Sequence, residues 1–297
     1  MSFPPEAFII GAQRSGTTSL SSLLDQHPGI VLSAPKEPDF FSVNWHQGLD
    51  WYRACFRRLD ATLIDASVNY TMTPLVEGTQ ELPDTVPCRI HQVSPGAKFV
   101  YLVRDPGERC HSAYWHEVRA GRERRSLHEV VERSAYYVMA SYYHRQISRF
   151  LRYFPLERFL IIRFDDFVRD PLGTAVNCSD FLGVQPDGFE FRREEPRNQA
   201  FLYSRFGQIL RDVMGQTRLE ALSSIAARCL PSSLHPYAKR IVSRGVPELN
   251  PSDRGWLAER FAEDSQAFAR LTGVQVQNEP GRWQSARDNR PIKCAVG

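Results

Sequence analysis

The sequence predicts an α/β protein with three layers: a central, mainly parallel sheet flanked by helices, and a helical C-terminal third. Two observations carry this. Short, continuously apolar runs, AFII at 7–10, ATLIDAS at 61–67, KFVYLVRD at 98–105 and RFLIIRFDD at 158–166, each end in polar residues, and helical patterns lie between them. Strands apolar on both faces belong in a parallel sheet covered by helices on each side. The composition agrees: 42% hydrophobic and 24% charged residues over 297 positions suit one globular domain, expected over residues 1–283, with a loose tail at 284–297.

The elements follow in order. AFII leads through a glycine-bracketed turn into TTSLSSLLDQ, whose leucines at 20, 23 and 24 share a helical face. After KFVYLV, Asp105 is expected to cap a helix opened by Pro106, and Gly121 follows near its end. SAYYVMASYYHRQISRFLRYF, 134–154, reads as one long helix stopped by Pro155. DPLGTAVNCSDFLGV, 170–184, reads as another, closed by Gly183. Beyond about 190 the pattern turns helical, with LEALSSIAARCL and a longer helix opened by Asn250 or Ser252.

Charge and cysteines exclude several functions. A net charge of +3 does not argue for nucleic-acid binding, and six scattered cysteines without C-x-x-C or Cys/His spacing suggest neither a metal site nor a disulfide framework. No apolar run has the length of a membrane span, and MSFPPEAF lacks the features of a signal peptide, so a cytoplasmic protein is expected. The arginine cluster RAGRERR, 119–125, reads first as a solvated loop and second as a recognition surface for an acidic acceptor.

Ligands of such sheets bind at the carboxyl ends of the strands. The first strand end carries GAQRSGTT. Gly11 and Gly16 have the spacing of a phosphate-binding loop, yet Thr17 and Thr18 stand where the usual Lys-Ser/Thr pair belongs. Converging backbone N–H groups, a helix N-terminus, the hydroxyls of Ser15, Thr17 and Thr18, and the guanidinium of Arg14 can hold an anion. The second station is YLVRDPGERCHSAYWHE: Arg104 sits at a strand end, and Arg109, Ser112 and His116 fall at i, i+3 and i+7 on one helical face.

A lysine-less, P-loop-like first motif with a second anion station resembles the sulfotransferases that use 3′-phosphoadenosine 5′-phosphosulfate (PAPS), and most closely their carbohydrate-acting, heparan sulfate-type branch. HPGIVLSAPKEPDFF, DASVNY and FDDFVRDPLGTAVNCSDFLGV extend the likeness over roughly 7–184, and Trp283 continues it loosely. The resemblance implies that Gln13, Arg14, Ser15, Gly16, Thr17 and Thr18 bind the 5′-phosphosulfate and that Arg104 and Ser112 bind the 3′-phosphate. Arg197, with Asn198, reads equally as a basic loop closing over the nucleotide and as an ordinary surface turn after Pro196. The resemblance makes Glu37 of KEPDFF, beside Lys36, the catalytic base and implies no metal requirement; Lys36 is an acceptor-side candidate, and Asp65, Ser67 and Asn69 at the strand end read either as acceptor-side contacts, as groups that adjust Glu37, or as caps of a turn.

A carboxylate is ionised at neutral pH and can take the acceptor proton; His116 is the second candidate. Two departures stand out. Arg14 occupies a position where the family usually has lysine, and Ala66 one where heparan-type enzymes tend to have lysine, which weighs against a heparan-like polyanionic acceptor. The acceptor implied is a hydroxyl of a sugar, glycolipid or glycosylated small molecule. The rival readings are a P-loop kinase and a nucleotide-binding scaffold without catalysis. Tyr136, Tyr137, Tyr142 and Tyr143 read as core residues before sugar-stacking faces.

Overall fold

The computed structural model describes residues 3–72, 85–185, 188–189, 201–203 and 243–277. Five parallel strands form one sheet: β1 (Ala7–Gly11), β2 (Ile30–Leu32), β3 (Thr62–Asp65), β4 (Lys98–Val103) and β5 (Phe159–Arg163), in the order β2-β3-β1-β4-β5. Four of these are the expected apolar runs. β2 carries no strand pattern of its own, because three residues are too few to show a period. A separate antiparallel pair joins β6 (Phe201–Tyr203) to β7 (Ser243–Gly245).

The continuous apolar character of the central strands follows from burial on both faces. Phe8 and Ile10 of β1, with Phe99 and Tyr101 of β4, enter one core, while Ala7, Ile9, Val100 and Leu102 enter the other. The first core is aromatic: Phe99 stacks on Phe8 and Phe159 and meets Phe150 and Phe154 edge-on.

The described α-helices are α1 (Thr17–Leu24), α2 (Gly48–Ala54), α3 (Thr85–Val93), α4 (Pro106–Arg119), α5 (Leu127–Arg133), α6 (Ala135–Met139), α7 (Tyr143–Phe150), α8 (Phe164–Arg169), α9 (Pro171–Leu182) and α10 (Pro251–Thr272). Local signals set several ends. Asp105 accepts from the Glu108 N–H at 3.0 Å and Asn250 from the Asp253 N–H at 2.8 Å, each before a first-turn proline. Gly183 closes α9 in the left-handed region.

The single helix expected over 134–154 is instead two, α6 and α7, and it ends before Pro155. Long-range partners break it. The Ser141 hydroxyl donates to the Pro106 carbonyl at 2.8 Å, and the Asp264 carboxylate of α10 accepts from the N–H groups of His144 and Arg145, both at 3.0 Å. A carboxylate on those N–H groups makes a helix start where propensity alone would continue one. LEALSSIAARCL, Arg197, Asn198, Trp283 and the tail lie outside the described residues. Among the described residues no helix is long and apolar enough to cross a membrane.

Candidate active site

The parallel order brings the ends of β2, β3, β1, β4 and β5 to one edge of the sheet, with α1 starting directly after the first of the two anion motifs. Gly11 adopts φ 151°, and a Cβ there would collide with the Thr71 side chain, whose hydroxyl donates to the Ile10 carbonyl at 2.8 Å. Arg14 (φ 68°) and Gly16 (φ 89°) both take left-handed backbone, so the turn from β1 into α1 is tightly folded. A Cβ on Gly16 would lie 3.1 Å from the Phe164 ring. No side chain caps α1, and its first N–H groups face the turn. Ser15 is buried, and its Oγ has no hydrogen-bond partner among the described residues. Gln13 lies near the Tyr136 hydroxyl.

The second motif closes on this turn. Arg14 Nε donates to Ser112 Oγ at 3.4 Å, so the loop after β1 and the helix after β4 touch through the two residues assigned to different stations. The Arg104 guanidinium lies 4.8 Å from the centre of the Phe164 ring, the ring that packs on Gly16. Its main chain is clamped by Tyr143, whose hydroxyl donates to the Arg104 carbonyl at 2.8 Å and accepts from its N–H at 3.2 Å. Glu108 stands between Arg104 (3.4 Å) and Arg254 of α10 (2.7 Å), which fixes the fork while leaving net positive charge. Burial, followed by the nearby Arg119 and Arg104, lowers the proton affinity of Arg14: the turn is already crowded with cations.

The face expected to hold Arg109, Ser112 and His116 divides. Ser112 meets Arg14, whereas Arg109 is fully buried and curls inward, donating to Ser141 Oγ at 2.6 Å and to the Tyr137 carbonyl. His116 takes an N–H of Arg119 on Nδ1 at 3.2 Å. Since arginine has only donors, that nitrogen accepts, and the proton of the neutral ring sits on Nε2. Burial and then Arg14 and Arg119 lower the His116 pKa, which keeps the ring neutral.

The loop after β2 carries the acceptor-side candidates. Lys36 Nζ donates to Glu37 Oε1 at 2.7 Å, and both side chains are partly exposed. Asn69 donates to both carboxylate oxygens of Asp39 at 3.3 and 3.1 Å. Asp65 ends β3 wholly buried, receiving Tyr52 and Tyr70 hydroxyls on Oδ2 (2.8 and 2.7 Å) and the Ser67 hydroxyl and N–H on Oδ1 (2.6 and 2.9 Å). Despite these four donors, burial pushes its pKa up to about 6. Asp65 and Ser67 therefore face the protein interior.

Sequence patterns missed Phe164, Tyr143 and Tyr52 as parts of this edge. Phe164 directly follows a strand end, which was the available signal; the two tyrosines come from helices whose approach no local pattern encodes. Tyr136, Tyr137, Tyr142 and Tyr143 lie against protein, with Tyr137 and Tyr143 buried and Tyr142 against Phe261. The arginines of 119–125 are largely paired at home: Arg122 with Glu117 at 2.6 Å and Arg125 with Glu123 at 2.9 Å.

A family model described as the sulfotransferase domain matches residues 4–207. The chain belongs to the sulfotransferase family. The match agrees with the sulfotransferase reading of its two motifs. The chain is 33% identical over 267 residues to heparan sulfate glucosamine 3-O-sulfotransferase 6 of Homo sapiens, an alignment covering 85% of this chain and 73% of that protein. The 3A1 enzyme of Mus musculus is 31% identical, with 85% and 64% covered. The mouse form of enzyme 6 is matched over only 53% of its length, so the chain spans between about half and three quarters of these curated relatives. A solved sulfotransferase from Alicyclobacillus acidocaldarius shares the fold at TM-score 0.60 and 24% identity, covering 93% of this sulfotransferase and 97% of that chain.

The residues present fit an anionic donor. The orphaned Ser15 hydroxyl and the uncapped start of α1 lie on the turn that Arg14 and Ser112 bridge.

Proposed function

We propose that this sulfotransferase moves the sulfuryl group of PAPS to a hydroxyl of a sugar, glycolipid or glycosylated small molecule, with Glu37 as the base. The observation that carries the donor half is the 3.4 Å contact between Arg14 and Ser112, which joins the two anion stations into one cationic patch. In this reading the turn from Gln13 to Thr18 holds the 5′-phosphosulfate through N–H groups and hydroxyls, and Arg104 and Ser112 hold the 3′-phosphate. When bound, PAPS supplies an activated sulfuryl group and an adenosine bisphosphate leaving group. Arg14 stabilises charge that builds there; its guanidinium keeps its own proton, so its role is electrostatic.

Glu37 is favoured over His116 by hydrogen bonding. Lys36 occupies only Oε1, and Oε2 of Glu37 has no hydrogen bond to the described residues, so it is free to accept a proton. The only unprotonated nitrogen of His116 already receives Arg119. Lys36, held against Glu37, keeps the carboxylate oriented. Asn69 steadies Asp39, two positions further along the same loop. The acceptor is assigned to the carbohydrate class on the strength of the relatives, with Ala66 arguing against a heparan-like polyanion.

Thermal melting with 3′,5′-adenosine bisphosphate and with ATP, each with and without Mg²⁺, tests the donor. Metal-independent stabilisation by the bisphosphate, approaching roughly 2.7 kcal/mol at 100 times its dissociation constant, is expected. ATP-only, Mg²⁺-dependent stabilisation would point to a kinase. The base is tested by Glu37→Gln, which should lower turnover of PAPS with a panel of mono- and disaccharides by about 100- to 10,000-fold while leaving bisphosphate binding intact. Bisphosphate binding without transfer to any acceptor would indicate a scaffold.

A further inference from the structure

The buried carboxylate of Asp65 does more than end a strand. Its two oxygens each orient a hydroxyl, and each hydroxyl in turn receives a backbone N–H from the loop that carries Glu37. On one arm, Ser67 Oγ donates to Asp65 Oδ1 at 2.6 Å and accepts the Asp39 N–H at 3.0 Å. On the other, the Tyr70 hydroxyl donates to Asp65 Oδ2 at 2.7 Å and accepts the Phe41 N–H at 3.2 Å. A hydroxyl has one proton, so a partner that only accepts is what turns both lone-pair sides toward the loop. Tyr52 of α2 adds a third hydroxyl on Oδ2 at 2.8 Å, and its ring stacks on Phe40 at 4.2 Å between centres, gripping the residue that lies between the two anchored amides.

We infer that Asp65 is a positioning residue: through the Ser67 and Tyr70 hydroxyls it holds the amides of Asp39 and Phe41, and thereby fixes where Glu37 stands. Asp65 itself touches no reacting atom. The inference rests on Glu37 being the base, and it adds the device that aims it. The remainder of the loop has matching restraints on its other side. Arg89 donates to the carbonyls of Phe41 and Ser42, both at 3.0 Å, and Ser33 Oγ donates to the Lys36 carbonyl at 3.0 Å. Residues 36 to 42 are thus tied on both edges, and the Asp65 relay is the part that anchors them to the sheet.

The chemistry predicts the result of changing one atom. In Asp65→Asn the amide nitrogen can only donate, so the hydroxyl facing it must turn its lone pair inward and present its proton to a loop N–H, where two donors oppose each other. Ser67→Ala cuts only the Asp39 arm and Tyr70→Phe only the Phe41 arm.

The test uses the whole chain with saturating 3′,5′-adenosine bisphosphate and reads amide exchange residue by residue by NMR. Exchange is expected to speed by about tenfold or more at Asp39 alone in Ser67→Ala, at Phe41 alone in Tyr70→Phe, at the one arm that faces the amide nitrogen in Asp65→Asn and at both in Asp65→Ala, while amides at 13–18 are unchanged. Turnover of PAPS with the saccharide panel should lose about tenfold in kcat with an unchanged KM for PAPS, since a misplaced group acts on the chemical step. In a Glu37→Gln background the same substitutions should cost nothing further, a result that general destabilisation would not give. Unchanged exchange at Asp39 and Phe41, or losses that add fully to Glu37→Gln, would overturn the relay. If Glu37→Gln alone leaves turnover intact, the base assignment fails, and the relay is then judged on the exchange pattern.

Discussion

The two halves of the active edge are built on opposite electrostatic plans. At the ends of β1 and β4, cations are crowded together: Arg14 loses proton affinity to burial, Arg119, Arg104 and Arg109, and a buried polar atom of the turn, Ser15 Oγ, has no hydrogen-bond partner among the described residues. At the ends of β2 and β3, Asp65 receives four donors, and its hydroxyl partners serve the loop above. The first half carries positive charge and donors in excess, as a cradle for an anion must. The second is satisfied internally, as a frame that holds one base still must be. On the proposed roles the contrast separates donor binding from proton transfer in space, and the separation can be attacked from either side.

The largest effect on donor affinity should come from the cationic half. Arg104→Ala removes the fork held over Phe164, and affinity for 3′,5′-adenosine bisphosphate should fall by about 10- to 100-fold, the range of a charge-assisted hydrogen bond to phosphate. Titration calorimetry at a fixed salt concentration would measure it. Ser67→Ala in the other half should leave that affinity unchanged. Equal losses from both variants would erase the division between the halves.

How much of this could be read in the chain depends on the range of the interactions involved. The buried strands were legible because burial on both faces writes itself as an unbroken apolar run, and the caps at Asp105 and Asn250 because the capping group lies three residues from its N–H. The β1 turn and the positions of Arg104 and Ser112 were legible from spacing. The break between α6 and α7 was not, since Asp264 arrives from α10 to make it. Nor was the inward turn of Arg109: helical spacing put it on the face of Ser112, but a long side chain reaches the partners that burial offers, here Ser141 and Tyr137. Asp65 reads as a polar strand end, which suggests a surface role; only Tyr52 and Tyr70 covering it reveal an interior one.

Acidification should sharpen the contrast with opposite signs. His111, buried near Arg104 and Arg254 and accepting the Trp115 N–H at 2.8 Å, has its pKa lowered to about 4, first by burial and then by Arg104. Its contribution to stability is complete above the ordinary value near 6.5 and is lost as pH falls through about 4. Asp65, raised to about 6, behaves in the reverse sense: its contribution is complete below 3.8 and is lost as pH rises through about 6. The groups facing Asp65 are Tyr52, Tyr70 and Cys55, all held neutral by raised pKa values, so the carboxylate is the one that titrates there. Between pH 7 and 5 the melting temperature of His111→Gln should therefore fall less than that of the unmodified protein, and that of Asp65→Asn should fall more. Melting curves across that interval check both slopes, and parallel curves would mean that neither half senses its own field.

The smallest effect is also the most specific to the cradle. A buried hydroxyl without a partner has given up its hydration and gained no hydrogen bond in return, so Ser15→Ala should leave the melting temperature of the ligand-free protein unchanged or slightly higher. The same substitution should weaken 3′,5′-adenosine bisphosphate by a few-fold, because a hydroxyl beside the start of α1 becomes a donor only when an anion is present; one neutral-donor hydrogen bond is worth about 1 kcal/mol. Stability and affinity thus move in opposite directions in one variant. In the satisfied half no hydroxyl behaves this way: Ser67→Ala removes a bonded group and should lower stability while sparing affinity. Were Ser15→Ala instead to destabilise the free protein by more than about 1 kcal/mol, its hydroxyl would have to be serving an internal partner, and the distinction between a cradle with donors to spare and a frame with none would fail at its most direct point of comparison.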